Sequence, residues 1–194
     1  MNPKILFIGL ILLAGGCVTQ PPLLTSSTDL DKSRLDQLLD WGLKARIAIS
    51  HANEGWNASL FWEQNHEQYV MRIVAPLGQK TLLITGDKQG AQLQISGQAS
   101  QWAEDLELVL EQEIGVRLPL NHLRFWVKGR HNPAQGVTQQ QYDAHSRLQS
   151  FSQDGWHVSI GRYAAVADVV LPQKIFIEKA TTSVRMVISE WQLK

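Results

Sequence analysis

The feature that most limits how this chain can fold is an apolar residue at every second position, in short runs from residue 43 almost to the end. Leu43, Ala45, Ile47 and Ile49 fall on one side, with Lys44 and Arg46 opposite. After a polar turn at 51–55 the pattern returns in Trp56, Ala58, Leu60 and Trp62, then in Tyr69, Met71 and Ile73. Two further runs, 81–85 and 92–96, flank the turn Asp87-Lys88-Gln89-Gly90. Successive side chains of a strand point to opposite faces, so this spacing predicts an antiparallel meander with one face buried.

The middle of the chain changes period. Ser100 is positioned to cap a helix carrying Trp102, Leu106, Val109, Leu110 and Ile114, stopped by Gly115. Pro119 opens a shorter helix with Leu120, Leu123 and Val127, ending at Gly129. Residues 131–141 are polar and contain Pro133 and Gly136, which predicts a loop. Strands resume at 148–153 and 156–163 around Asp154-Gly155, a strong hairpin signal. Residues 164–173, with Leu171-Pro172, read as an irregular connection. A last hairpin joins 174–178 to 184–193. Upstream, Thr28 or Asp29 can cap a helix running to about Trp41 and stopped by Gly42. Strands, then helices, then strands predict an α+β fold on an antiparallel sheet. Nine to eleven strands do not stay flat, so the expectation is a curved sheet forming an open, incomplete β-barrel.

The N-terminal segment is different. Lys4 precedes an apolar run at 5–13, followed by Ala14-Gly15-Gly16 and then Cys17, the single cysteine of 194 residues. That order is the pattern of a secretory signal, and the run is too short to span a bilayer. Ending on a cysteine, it resembles the lipobox of bacterial lipoproteins. It departs from the usual form in having Ala14 three places before the cysteine, with Leu13 one further back. The resemblance implies that 1–16 is a signal peptide and that Cys17 becomes the lipidated first residue. Residues 17–28, with Pro21-Pro22, then read as a flexible tether, and 29–194 as one domain.

Composition removes several function classes. Basic and acidic residues balance at 18 each, so there is no overall basic charge for nucleic acid. With Cys17 acylated no thiol is left for a disulfide, a metal site or a nucleophile. The six histidines are scattered; His66-Glu67 opens like a zinc-protease helix, but Val70 stands where the second histidine is needed. No Gly-x-Ser-x-Gly elbow and no phosphate-binding glycine loop occurs. Neither a catalytic residue, a metal nor a cofactor is expected. A hydrolase would have to assemble Ser59, Ser159, His157 or Glu63 without a motif that places them together.

Several stretches together resemble the LolB family of outer-membrane lipoprotein receptors. They are Trp41-Gly42-Leu43-Lys44-Ala45-Arg46-Ile47, Ala58-Ser59-Leu60-Phe61-Trp62 and Pro76-Leu77-Gly78. Further on come Pro119-Leu120 with Leu123, Trp126 and Gly129, then Gln153-Asp154-Gly155-Trp156, Leu171-Pro172, and Met186-Val187-Ile188 with Trp191. Their order over 41–191, behind a lipoprotein signal, carries the resemblance. It implies a LolA/LolB-like open barrel with helices over its mouth and an apolar cavity for acyl chains. It implies a monomeric, non-enzymatic transport protein, lipid-anchored on the periplasmic face of the outer membrane. Its partners would be a LolA-like periplasmic carrier and acylated lipoprotein cargo. Val18, where the family's sorting rule places aspartate for inner-membrane retention, points to the outer membrane.

The expected cavity lining is Trp56, Leu60, Trp62, Met71, Ile73, Trp156, Met186 and Trp191, although spacing alone also allows each to be plain core. Trp102, Leu106 and Leu110 can form a lid or permanent core. Leu77 lies in a turn between strands, where an exposed leucine forgoes roughly 1.5–3 kcal/mol of burial unless something covers it. It either folds back onto the core or, as the resemblance implies, engages the membrane with Pro76 and Gly78 as its loop. The competing reading is an envelope scaffold lipoprotein with no ligand cavity.

Overall fold

The structure, a computed structural model, describes residues 27–52 and 54–194. Cys17, the signal peptide and most of the tether lie outside the described residues. The described residues begin with helix α1 (Ser27–Gln37), then β1 (Asp40–His51), β2 (Glu54–Asn65) and β3 (Gln68–Val74). A single 3-10 turn, Pro76–Gly78, leads to β4 (Thr81–Gly86), β5 (Ala91–Ile95) and β6 (Gln101–Ala103). Two helices follow, α2 (Leu106–Ile114) and α3 (Leu120–Trp126). The chain ends in β7 (Val137–Tyr142), β8 (Leu148–Gln153), β9 (Trp156–Val166), β10 (Val169–Lys179) and β11 (Thr182–Leu193).

All eleven strands form one antiparallel sheet, ordered β6-β5-β4-β3-β2-β1-β11-β10-β9-β8-β7. Two meanders are therefore joined by the pairing of the first strand with the last, from Trp41↔Leu193 to His51↔Thr182. The edges β6 and β7 are not paired with each other, so the barrel is open. The inward positions Leu43, Ala45, Ile47 and Ile49 are buried, as are Ala58, Leu60 and Trp62 on β2. Leu106 and Leu110 of α2 and Leu123 and Trp126 of α3 belong to the same core, so the helices lie over the inner face.

Four segments differ from expectation. Helix α1 stops at Gln37, because Trp41 and Gly42 are held in β1 by partners on both sides, Gln64 with Leu193 and Glu63 with Gln192. Lys128 closes that helix, donating from Nζ to the carbonyls of Leu35 (3.1 Å) and Leu38 (2.9 Å). Burial pulls its ammonium down to about 8. Trp102 is not in a helix but in the edge strand β6, opposite Gln92 and 60 % exposed. The cap of α2 is Asp105, whose carboxylate accepts from the Leu108 N–H at 3.0 Å, and not Ser100. Residues 137–142, expected as loop, are the other edge strand. Residues 164–173 are a hairpin with strand on both sides of Ala167-Asp168, and the register slips where Pro172 has no N–H to give.

Gln153 holds the second meander to the helical segment. It is 2 % exposed. Its Oε1 accepts from Trp126 Nε1 and from the Asn132 N–H, both at 2.9 Å. Its Nε2 donates to the carbonyls of Asn132 (2.8 Å) and Gln135 (3.1 Å). Gln153→Leu keeps the volume, removes four hydrogen bonds and leaves the buried Trp126 Nε1 and Asn132 N–H unpaired. We expect a loss of about 2–4 kcal/mol in urea unfolding, whereas an exposed substitution such as Gln149→Leu changes it by less than about 0.5 kcal/mol.

Candidate functional site: an apolar cavity and an exposed leucine turn

The inner face and the two helices enclose a small cavity. Strands β1–β4 and β11 contribute Ile47, Ile49, Trp56, Leu60, Trp62, Met71, Ile73, Ile84, Val184 and Met186. Leu110 of α2, Leu118 before α3, and Leu120 and Leu123 of α3 close it. Every lining side chain is apolar. The polar atom of Trp62 is turned away, its Nε1 donating to Gln64 Oε1 at 3.1 Å. The free volume is about 40 Å³, close to one water molecule's share of the liquid, ~30 Å³. In this conformation the helices fill the space that the sheet encloses.

Six residues expected together from the sequence do line this cavity: Trp56, Leu60, Trp62, Met71, Ile73 and Met186. Two are placed elsewhere. Trp191 packs edge-on against Trp41, ring centroids 5.5 Å apart, and donates from Nε1 to the Pro172 carbonyl at 2.9 Å. Trp156 is buried on β9, with the Lys179 ammonium 5.6 Å over its ring. Neither lines the pocket; Trp156 is buried as the alternation of β9 predicts, whereas Trp191 is brought opposite the buried Leu43 by the register slip between Ile188 and Glu190. Eight of the fourteen lining residues are not among those expected: Ile47, Ile49, Ile84 and Val184 on strands, and Leu110, Leu118, Leu120 and Leu123 on or beside the helices; their spacing carries no signal separating cavity from core.

The helical wall holds a buried imidazole. His122 stacks on Trp126, centroids 5.3 Å apart, and burial lowers its proton affinity below the ordinary imidazole value of 6.5, against a weaker opposite pull from Asp154.

Leu77 lies outside this wall and is 94 % exposed. Its backbone is left-handed (φ 58°, ψ 14°), a conformation that costs a non-glycine residue roughly 1–2 kcal/mol. The turn is closed by Gly78 N–H to the Ala75 carbonyl (3.0 Å) and by Ala75 N–H to the Lys80 carbonyl (2.9 Å). A leucine that is both strained and solvated serves no purpose within the isolated fold. At the base of the turn, Lys80 Nζ meets Glu113 of α2 at 3.0 Å, so the turn and the helical cover are joined.

The candidate hydrolytic groups do not converge. The His157 Nδ1 lies 3.3 Å from Ser152 Oγ, and Glu63 faces Lys194 at 3.2 Å. Among the described residues no carboxylate lies within 4.0 Å of the His157 ring.

Fold and cavity define an open-barrel protein with an apolar cavity and an exposed leucine turn. A crystal structure of a LolA superfamily protein from Nitrosomonas europaea has the same fold, with a TM-score of 0.55, 9 % identity, and coverage of 84 % of this chain and 93 % of that one. A DUF1329 family protein from Desulfovibrio piger is similar at a TM-score of 0.52 and 8 % identity, covering 86 % and 91 %.

The family model for outer membrane lipoprotein LolB matches residues 39–191, and the chain belongs to that family. It is 33 % identical over 161 residues to the outer-membrane lipoprotein LolB of Pseudomonas paraeruginosa, covering 83 % of this chain and 78 % of that protein. It is 32 % identical over 198 residues to that of Nitrosococcus oceani, covering 98 % and 96 %.

His122 gives the covering helices a pH dependence whose sign follows from its lowered affinity. Above pH 6.5 neither state carries its proton. Below that value the unfolded chain takes up a proton that the folded chain refuses, so stability falls on acidification. We expect His122→Phe to flatten the decline in urea-unfolding free energy below pH 6.5, measured against the parent chain.

Proposed function

We propose that this protein receives acylated lipoproteins from a soluble LolA-like carrier, shelters their acyl chains in the cavity, and inserts them into the outer membrane. It would work as a monomer anchored on the periplasmic face through lipid on Cys17. The observation that carries the reading is a cavity lined by fourteen side chains, none of them polar.

Acyl chains require such a surface. Each methylene withdrawn from water contributes about 0.8 kcal/mol, so a triacylated cysteine brings tens of kcal/mol. A polar group in the wall would be desolvated without compensation. Leu, Ile, Met and Trp shield chains without specific contacts, which suits a receptor that reads only the lipid of its cargo.

The small free volume supplies the next step. An acyl chain cannot enter unless the wall formed by Leu110, Leu118, Leu120 and Leu123 moves away from the sheet. The empty protein thus buries its cavity lining against its own helices, and cargo displaces them. Loading exchanges one set of apolar contacts for another, so the net free energy of holding cargo is far smaller than that of burying the chains from water. A modest net affinity lets cargo leave for a bilayer without a nucleotide cycle.

Leu77 is then the delivery element. Membrane contact would cover the leucine that the fold leaves exposed and return part of the burial forgone, roughly 1.5–3 kcal/mol.

Two outcomes are expected in a reconstituted assay. Lipoprotein-loaded carrier mixed with this protein transfers its cargo without an energy source; cargo that stays on the carrier at equilibrium rules the reading out. Leu77→Glu unfolds within about 0.5 kcal/mol of the parent chain, since no buried contact is lost. It accepts cargo normally and fails to release it to liposomes. Normal release by that variant removes Leu77 from the mechanism.

A further inference from the structure

The outer face of the sheet, beside the Leu77 turn, carries a concentration of positive charge. The chain as a whole is neutral, so this is a matter of placement. Arg46 on β1 lies opposite Val187 on β11, and Ala48 lies opposite Arg185, which makes Arg46 and Arg185 diagonal neighbours across the seam of the two meanders. Diagonal neighbours on one face stand about 7–8 Å apart. Lys174 on β10 is the other partner of Val187, and Arg162 on β9 lies beside Lys174. Arg72 lies two strands away on β3, opposite Phe61.

These five cations share a second property. Among the described residues, none has a carboxylate within 4.0 Å, whereas Lys44 on the same face is paired with Glu190 at 2.7 Å. Two half-buried rings stand in for carboxylates. Arg72 lies 4.1 Å over Phe61, and Lys174 and Arg185 lie 5.0 and 6.0 Å over Phe176. An aromatic face orients a cation and leaves its charge available. The acidic stretch Glu104-Asp105-Leu106-Glu107 and Glu111 lies with α2 across the opposite, inner face, near Arg117.

A groove of about 810 Å³ brings this charge to the turn: its lining includes Arg46, Arg185, Ser59, Asn57 and Leu77 itself. Strand β3 ends at Val74 opposite Ser59, while β2 continues back to Glu54, so the turn stands over the β1–β2 surface. An unpaired cationic floor beneath an exposed apolar tip matches the cross-section of a membrane surface, with phosphates outside and hydrocarbon within.

We propose that the outer face around Arg46 and Arg185 binds the phosphates of anionic phospholipids and orients the protein so that Leu77 enters the bilayer. The reading rests on Leu77 being the membrane-facing turn and adds the lipid class that the turn meets. Each cation near an anionic surface strengthens binding by about five-fold at low salt, and the gain fades once the ionic strength brings the screening length below the gap.

The test is co-sedimentation of the full mature chain carrying Cys17→Ser, so that its own lipid does not anchor it, with phosphatidylcholine vesicles with or without phosphatidylglycerol. We expect binding to favour phosphatidylglycerol and to weaken with salt. The double variant Arg46→Gln/Arg185→Gln should lose about 30-fold on phosphatidylglycerol and nothing on phosphatidylcholine. Arg46→Lys/Arg185→Lys should retain the preference, which separates charge from folding. Equal binding to both vesicle types, or an unaffected double variant, overturns the proposal. So does a double variant that binds vesicles normally but takes up cargo slowly from loaded carrier, since the face then serves a protein partner. Leu77→Glu is expected to lower binding to both vesicle types. If it binds normally while the double variant loses its preference, the Leu77 reading fails and the phosphate face stands.

Discussion

The pairing of β1 with β11 is the constraint on which the rest depends. Each meander alone is a twisted sheet with a long apolar face and nothing to cover it. Joined along Trp41↔Leu193 to His51↔Thr182, they make a surface wide enough to curl around a core. The contact closes almost the whole described chain, so its loop entropy must be met by the burial it permits. The rings of Trp41, Trp62 and Trp191 meet at one end of this seam, with Trp41 to Trp62 at 5.0 Å and Trp41 to Trp191 at 5.5 Å.

That seam also fixes where the helices go. The chain leaves the sheet at β6 and returns at β7, the two edges, and the segment between must cross the open inner face. Helices α2 and α3 are thus both cover and filling. The same leucines stabilise the empty protein and occupy the volume that acyl chains would take. On the function proposed above, these side chains would have to leave for cargo to enter. Gln153, with four hydrogen bonds, ties the end of this segment to β8.

The outer face is organised by the same seam. Arg46 and Arg185 come from opposite ends of the chain and become neighbours only because β1 and β11 pair. The Leu77 turn stands over them because β3 is shorter than β2. An apolar interior, an apolar tip and a cationic floor thus follow from one register, on opposite sides of a single layer of backbone.

The sequence by itself determined the strands whose two faces differ, because alternation records a difference between core and water. It determined the Asp154-Gly155 turn through two residues that tolerate positive φ (51° and 73°). It also determined the stop of α2 at Gly115, but it left Leu77 either folded onto the core or exposed, and only the structure leaves it 94 % exposed. It did not reveal β6 and β7, since β6 has only three residues and β7 is wet on both faces and loses the alternation. It did not reveal the β9–β10 turn, where Ala167 takes a positive φ of 50° without glycine or asparagine to announce it. It could not divide Trp62 from Trp191, because alternation says which way a side chain points and not what stands opposite. That was decided only by tertiary structure: α2 and α3 settle over one part of the inner face and make it a cavity, and elsewhere the same kind of residue is core.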